Sequence, residues 1–139
     1  MKKKLKTFIK WPVKIKKIFF ICFCLAIFFK LLKRTASLNK LLVASKNVIP
    51  FQRSSFSKIR LLEVNYMIDK ISKNIIHISC LTKVLILKKY FADSETLEIN
   101  IGTRVKNSLF ESHAWINHEY YLQLEDEELT TFKKLHEFS

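Results

Sequence analysis

Apolar residues recur along this chain in three rhythms, and each predicts a different element. From Ile18 to Phe29 they are continuous for 12 residues, after which Lys30, Lys33 and Arg34 interrupt. A bilayer-spanning helix needs about 20, so the run predicts a helix that is buried or lies on a surface, with lysines at both ends able to snorkel. No small-residue cleavage site follows it, which argues against a signal peptide. Thr35 to Ser57 mixes Ser, Asn and Lys with Leu41-Leu42-Val43 and Pro50, and reads as a short helix plus a connecting loop. In Ser57 to Lys73 the apolar residues Ile59, Leu62, Val64, Met67, Ile68 and Ile71 approach helical i, i+3, i+4 spacing, predicting a helix that packs on the next one. Ser79 is a favoured N-cap, and the helix it opens runs from Cys80 to about Phe91, with Leu81, Val84, Leu85, Leu87 and Phe91 on its buried side and a break at Asp93-Ser94. Leu97 to Val105 alternates with period two, Leu97, Ile99 and Ile101 pointing inward, as in a half-buried strand. Gly102 near its end marks a place where backbone or substrate comes close. Lys106 to Glu111 reads as a polar connection, and His113 to Ile116 as a strand forming a hairpin with Tyr120 to Leu124. The acidic run Glu125 to Glu128 and a helix-like tail from Leu129 to Phe138 follow.

Composition changes this picture mainly at the N-terminus. At 139 residues the chain is one domain's worth, but its charge is uneven. Residues 1–34 hold ten lysines, one arginine and no acid, and so carry +11 of the total +13. The reading is therefore of a basic tail and apolar first helix in 1–34, followed by a core in 35–139. Solvated tail is the default for the first segment. Its interleaved Phe8, Trp11 and aliphatic residues also suit an anionic membrane surface, at about 1 kcal/mol per basic residue near the bilayer. Nucleic acid is disfavoured, because no recognition motif accompanies the charge. Cys22, Cys24 and Cys80 form an odd set without framework spacing, which points to free thiols in a reducing compartment. The expected location is cytoplasmic, with the basic segment available to the inner face of the membrane. One glycine and two prolines argue against a turn-dense β-sandwich and against low-complexity disorder.

The candidate chemistry lies between Ser79 and Ile116. A free thiol has a pKa of about 8.5, and a helix N-terminus or a neighbouring imidazolium lowers it. Cys80 falls in the first turn after its cap, where unpaired N–H groups and the macrodipole favour thiolate and could hold an oxyanion. Taken singly, a cysteine on an apolar helix is usually a small buried hydrophobe, and His-Ala-Trp is unremarkable strand sequence. Their order is more telling: a cysteine opening a helix, a strand, then His113 opening another strand is the order in which papain-like and transglutaminase-like enzymes supply nucleophile and base. The fold class expected is α+β, papain/transglutaminase-like, with N-terminal helices packed on a small antiparallel sheet. No zinc pattern joins His77, His113 and His118, His136 belongs to the tail, and neither a metal nor a nucleotide site is visible. Asn74, six residues before Cys80, lacks the glutamine that papain-like enzymes use there as an oxyanion donor.

Cys80-Leu81-Thr82 leading into a helix, a strand ending in Ile101-Gly102, and His113-Ala114-Trp115 together resemble the transglutaminase-like B proteins of lasso-peptide biosynthesis, in their stand-alone leader-peptidase form. The resemblance spans about residues 60 to 124. It departs from the family at His77-Ile78-Ser79, where arginines are usual, and at Ile116-Asn117-His118-Glu119-Tyr120, where Val-Glu and a turn glycine are usual. It implies a cysteine peptidase that cuts the leader from a ribosomally made precursor, with Cys80 as nucleophile and His113 as base. The family's third triad member lies about a dozen residues past the histidine. Glu125 fits that spacing without a gap, whereas Asp126 has the usual residue type and the strand parity of Leu122 and Leu124, which favours Asp126. Implied partners are the precursor peptide, a separate leader-binding protein and an ATP-dependent lasso cyclase, and no cofactor. Two other classes stay open: a transglutaminase-like amidase or acyltransferase on another substrate, and a non-enzymatic basic membrane-associated protein.

Overall fold

A computed structural model describes residues 11–47, 57–91, 97–117 and 132–138. Among the described residues four helices precede a sheet: α1 Val13–Thr35, α2 Leu38–Asn47, α3 Lys58–Asn74 and α4 Cys80–Tyr90, then β1 Glu98–Lys106, β2 Leu109–Asn117 and β3 Lys133–Phe138. The architecture is α+β.

Helix α1 starts at Pro12, whose carbonyl accepts from the Ile15 and Lys16 amides at 3.0 and 3.1 Å. Proline suits that place because its missing N–H would have no helical partner. The apolar run of α1 is not buried all round: Ile18, Ile21, Cys22, Leu25, Ala26 and Phe29 form one stripe into the core, while Phe20 and Leu31 face outward. That is the pattern of a helix packed on one side. Among the described residues no helix is long and apolar enough to cross a membrane. The stripe joins the same hydrophobic core as α3, α4 and the sheet, so the basic N-terminal part of the chain is built into the domain from Val13 onward.

Ser57 caps α3 by accepting from the Arg60 amide at 3.2 Å. The buried stripe of α3 is Leu61, Val64, Met67, Ile68 and Ile71, which corrects the expected pattern in its first turn. Ile59 and Leu62 are 73% and 50% exposed, and Leu61 takes their place in the core. The correct phase of the stripe is set by Val64, Ile68 and Ile71, from which Leu61 is one turn back. Helix α3 lies against α1 and α4, and Asp69 to Lys83 at 2.9 Å ties it to α4.

Helix α4 is the centre of the molecule. It touches α1, α2, α3 and β2 and is buried on nearly every side from Val84 to Tyr90, including two lysines. Each lysine finds a carbonyl: Lys88 donates to Leu97 O at 2.6 Å and Lys89 to Ala44 O at 2.9 Å. Burial nevertheless pushes Lys89 down from 10.5 to about 8, because a carbonyl dipole only partly replaces the water its charged amine loses.

The sheet is antiparallel in the order β2-β1-β3. The expected polar connection at Lys106 to Glu111 is replaced by a tight hairpin, with Lys106 paired to Leu109. Asn107 and Ser108 make the turn at φ 51° and 63°, the paired left-handed geometry that matches strand twist. His113 to Ile116 consequently sits within β2, paired with β1; its expected partner Tyr120 to Leu124 lies outside the described residues. The tail is also corrected. Lys133–Phe138 is a strand on the other edge of β1, with a register shift between Ile101 and Gly102. As a helix it would have left that edge of β1 without ladder partners. Ile99, Ala114 and Ile116 are buried in the core shared with the helices.

Gly102 serves packing on the opposite face. A Cβ there would lie 2.9 Å from Trp115 Cη2, 3.1 Å from Phe132 Cβ and 3.1 Å from Lys133 O. The absent side chain lets the indole lie across β1. What comes close is thus the protein's own Trp115, in the body of the strand.

Candidate functional site

The loop between α3 and α4 is fastened at both ends before it delivers Cys80. Ser72 Oγ accepts from the Ile78 amide at 3.3 Å, and Ser79 Oγ accepts from the Thr82 amide at 3.4 Å with its backbone extended at ψ 160°. Thr82 Oγ1 lies 3.0 Å from Ser79 Oγ, which steadies the cap. Ser79 is therefore the N-cap that the sequence predicts, and Cys80 opens α4.

His113 comes from β2, where it pairs with Gly102. Its ring stacks on Trp115, with centroids 6.3 Å apart and planes 14° apart, and Phe132 closes in at 5.7 Å. These aromatics fix the imidazole's direction. The His113 side chain hydrogen-bonds the Cys80 thiol, and the pair lines one groove. His113 Nε2 is buried without a hydrogen-bond partner among the described residues.

That contact is the main reason the Cys80 thiol is lowered from 9.0 to about 7. Partial burial opposes it, while the Ala114 and Leu81 backbone groups and the charge of His113 assist. Near neutral pH about half of the sulfur is thiolate. Cys22 shows the contrast: sealed in the core of α1, its thiol is pushed up to about 12 by burial. The three cysteines are free, and among the described residues only Cys80 has an imidazole beside it in a groove.

The groove has a volume of about 430 Å³, with Cys80, His113, Ile78 and Ser72 on its walls and the Asp69 to Lys83 pair at its side. Asn74 takes no part in it, since its amide donates to Lys70 O at 2.8 Å. His77 lines a neighbouring cavity. Among the described residues no group of three potential metal ligands occurs. Glu125 and Asp126 lie outside the described residues.

The sequence reading missed Asn100. It is 1% exposed, its Oδ1 has no hydrogen-bond partner, and it pairs with Trp115 across the strands. The period-two pattern assigns position 100 to the solvent face. Trp115 and Phe132, which lie over neighbouring Gly102, turn that face into a second interior. A polar residue in a strand whose partner carries a tryptophan was the available signal.

No family model, curated protein or solved structure gives a significant match to this chain.

Proposed function

We propose that the protein is a cysteine peptidase of papain/transglutaminase-like fold that removes the leader from a ribosomally made lasso-peptide precursor. The observation that carries the peptidase reading is the hydrogen-bonded pair of Cys80, at the start of a helix, and His113, on an adjacent strand, with the thiol lowered to about 7. The lasso assignment is supported by the Cys80-Leu81-Thr82, Ile101-Gly102 and His113-Ala114-Trp115 motifs at matching places in the chain.

In this reading His113 takes the Cys80 proton, and the thiolate attacks the carbonyl at the leader–core junction. Backbone N–H groups at the start of α4 receive the developing oxyanion. His113 then gives its proton to the departing core amine, leaving the leader as a thioester on Cys80. Water, deprotonated by His113, hydrolyses the thioester and restores the thiol. A carboxylate from Asp126 or Glu125 would accept from the buried His113 Nε2, holding the tautomer and stabilising the imidazolium. A separate leader-binding protein delivers the precursor, a cyclase receives the core, and the enzyme works in the cytoplasm with its basic N-terminal segment against the membrane.

The test is reconstitution of precursor, leader-binding protein and this chain, with products weighed by mass spectrometry. Free leader and core from the native protein and none from Cys80→Ala support the reading, and unchanged cleavage by Cys80→Ala refutes it. Transfer of the leader to an added amine in place of water would move the protein to the acyltransferases.

A further inference from the structure

A second cavity, of about 370 Å³, adjoins the Cys80 groove at Ile78, which lines both. Its walls carry Lys30, Lys33 and Arg34 from the end of α1, His77, and Ser79 with Thr82 from the start of α4, and among the described residues no carboxylate. The Cys80 groove differs, because there Asp69 neutralises Lys83 at 2.9 Å. Among the described residues none of Lys30, Lys33 and Arg34 has an acidic partner.

The end of α1 explains only part of this. Cations in a last turn complement the negative end of their own helix. Here the same cations also face the positive end of α4, and Lys33 Nζ reaches Ser79 Oγ at 3.4 Å. Three cations gathered at a helix N-terminus repel it and one another, and an anion between them would relieve both.

We propose that this cavity is a substrate subsite for a carboxylate, the side chain of an Asp or Glu within two residues of the bond that Cys80 cleaves. The proposal rests on the peptidase reading for its substrate, and the reach follows from the chain. Ser79 on one wall and Cys80 on the other are consecutive, with Cα atoms about 3.8 Å apart, and an extended peptide advances about 3.3–3.6 Å per residue. The step between the two walls is thus about one residue of extended peptide, the reach the proposal requires of a substrate whose carbonyl lies over the sulfur.

Two alkylating probes of nearly equal size separate the charge effect from thiol reactivity. Iodoacetate carries a carboxylate and iodoacetamide does not. Rates at Cys80 are measured with each at neutral pH and low salt, resolved by peptide mass spectrometry, for the native chain, Lys30→Gln/Arg34→Gln and Lys30→Arg/Arg34→Lys. Lys33 is left in place because it touches the cap of α4. The expected result is a roughly three- to tenfold fall in the iodoacetate-to-iodoacetamide ratio for the glutamine variant, an unchanged iodoacetamide rate, and a native ratio in the charge-conserving variant. An unchanged ratio overturns the subsite. So does a parallel fall of both rates, which would make the cations activators of the thiol. The peptidase reading fails separately, through absence of precursor cleavage, whatever the ratio does.

Discussion

Replacing His113 with alanine removes the largest influence on Cys80, and the consequence can be worked through. In the native protein the thiol sits at about 7, with burial acting against that value. Without the imidazole, burial remains opposed by the Ala114 and Leu81 backbone groups, so the thiol returns to the neighbourhood of its ordinary 9.0. At pH 7 the thiolate fraction then falls from about one half to about one hundredth, a roughly 50-fold loss. The more basic thiolate is intrinsically the better nucleophile, with a Brønsted slope of about 0.4–0.5, and regains roughly six- to tenfold over two pKa units. Iodoacetamide should thus label Cys80 roughly five- to eightfold more slowly in His113→Ala at pH 7. Above about pH 8.3 the order should reverse, and that crossover marks a pKa effect as distinct from lost access. The assay is the pH profile of Cys80 labelling from pH 5 to 10, resolved by site. A midpoint near 7 retained in His113→Ala would refute the reasoning, since the helix start alone would then set the thiol.

Two further outcomes probe the scaffold. Gly102→Ala would force a methyl to within 2.9 Å of Trp115 Cη2 and 3.1 Å of the Lys133 carbonyl, costing about 1–3 kcal/mol in urea denaturation. It should also slow Cys80 labelling, because Trp115 is the ring on which His113 stacks; native stability would show that the indole has room to move. Lys89 is held at about 8 in the folded protein against 10.5 ordinarily. Between those values the unfolded chain binds more protons, so this residue makes stability rise with pH across that window and lose that gain as pH falls through 8. The stability of Lys89→Met relative to the native chain should therefore decline from pH 8 to pH 10 in denaturant titrations, and parallel curves would contradict the assignment.

What was legible in the sequence was local. Ser79 announces a cap and Cys80 a first turn by residue type alone, and the alternation of Leu97, Ile99 and Ile101 gives β1 without reference to the rest of the chain. The stripe of α3 came out shifted in its first turn, because Ile59 and Leu62 are as apolar as Leu61 and only packing against α1 chooses between them. The hairpin was hidden because Asn107-Ser108 is a weak turn signal inside a polar stretch, although asparagine tolerates the left-handed region. Strand β3 was hidden for a different reason. The apolar residues of the tail have helical spacing and acids precede them, whereas the edge of β1 that recruits Lys133–Phe138 lies some 30 residues earlier, beyond any local window. Lys88 and Lys89 are buried because α4 is enclosed by three helices and a strand. In the site, Cys80 and His113 were readable by residue type and order. Asn100 was not, since its burial depends on where Trp115 lies.

The account turns on a covalent intermediate at one sulfur, and acid-quenched intact mass spectrometry observes it directly. When the native chain is mixed with precursor and leader-binding protein and quenched within the first turnovers, a species heavier by the leader acyl group should appear. Peptide mapping should place the thioester on Cys80, and hydroxylamine should release it. Cleavage that proceeds with no such adduct, or with the leader carried on another residue, would contradict the account.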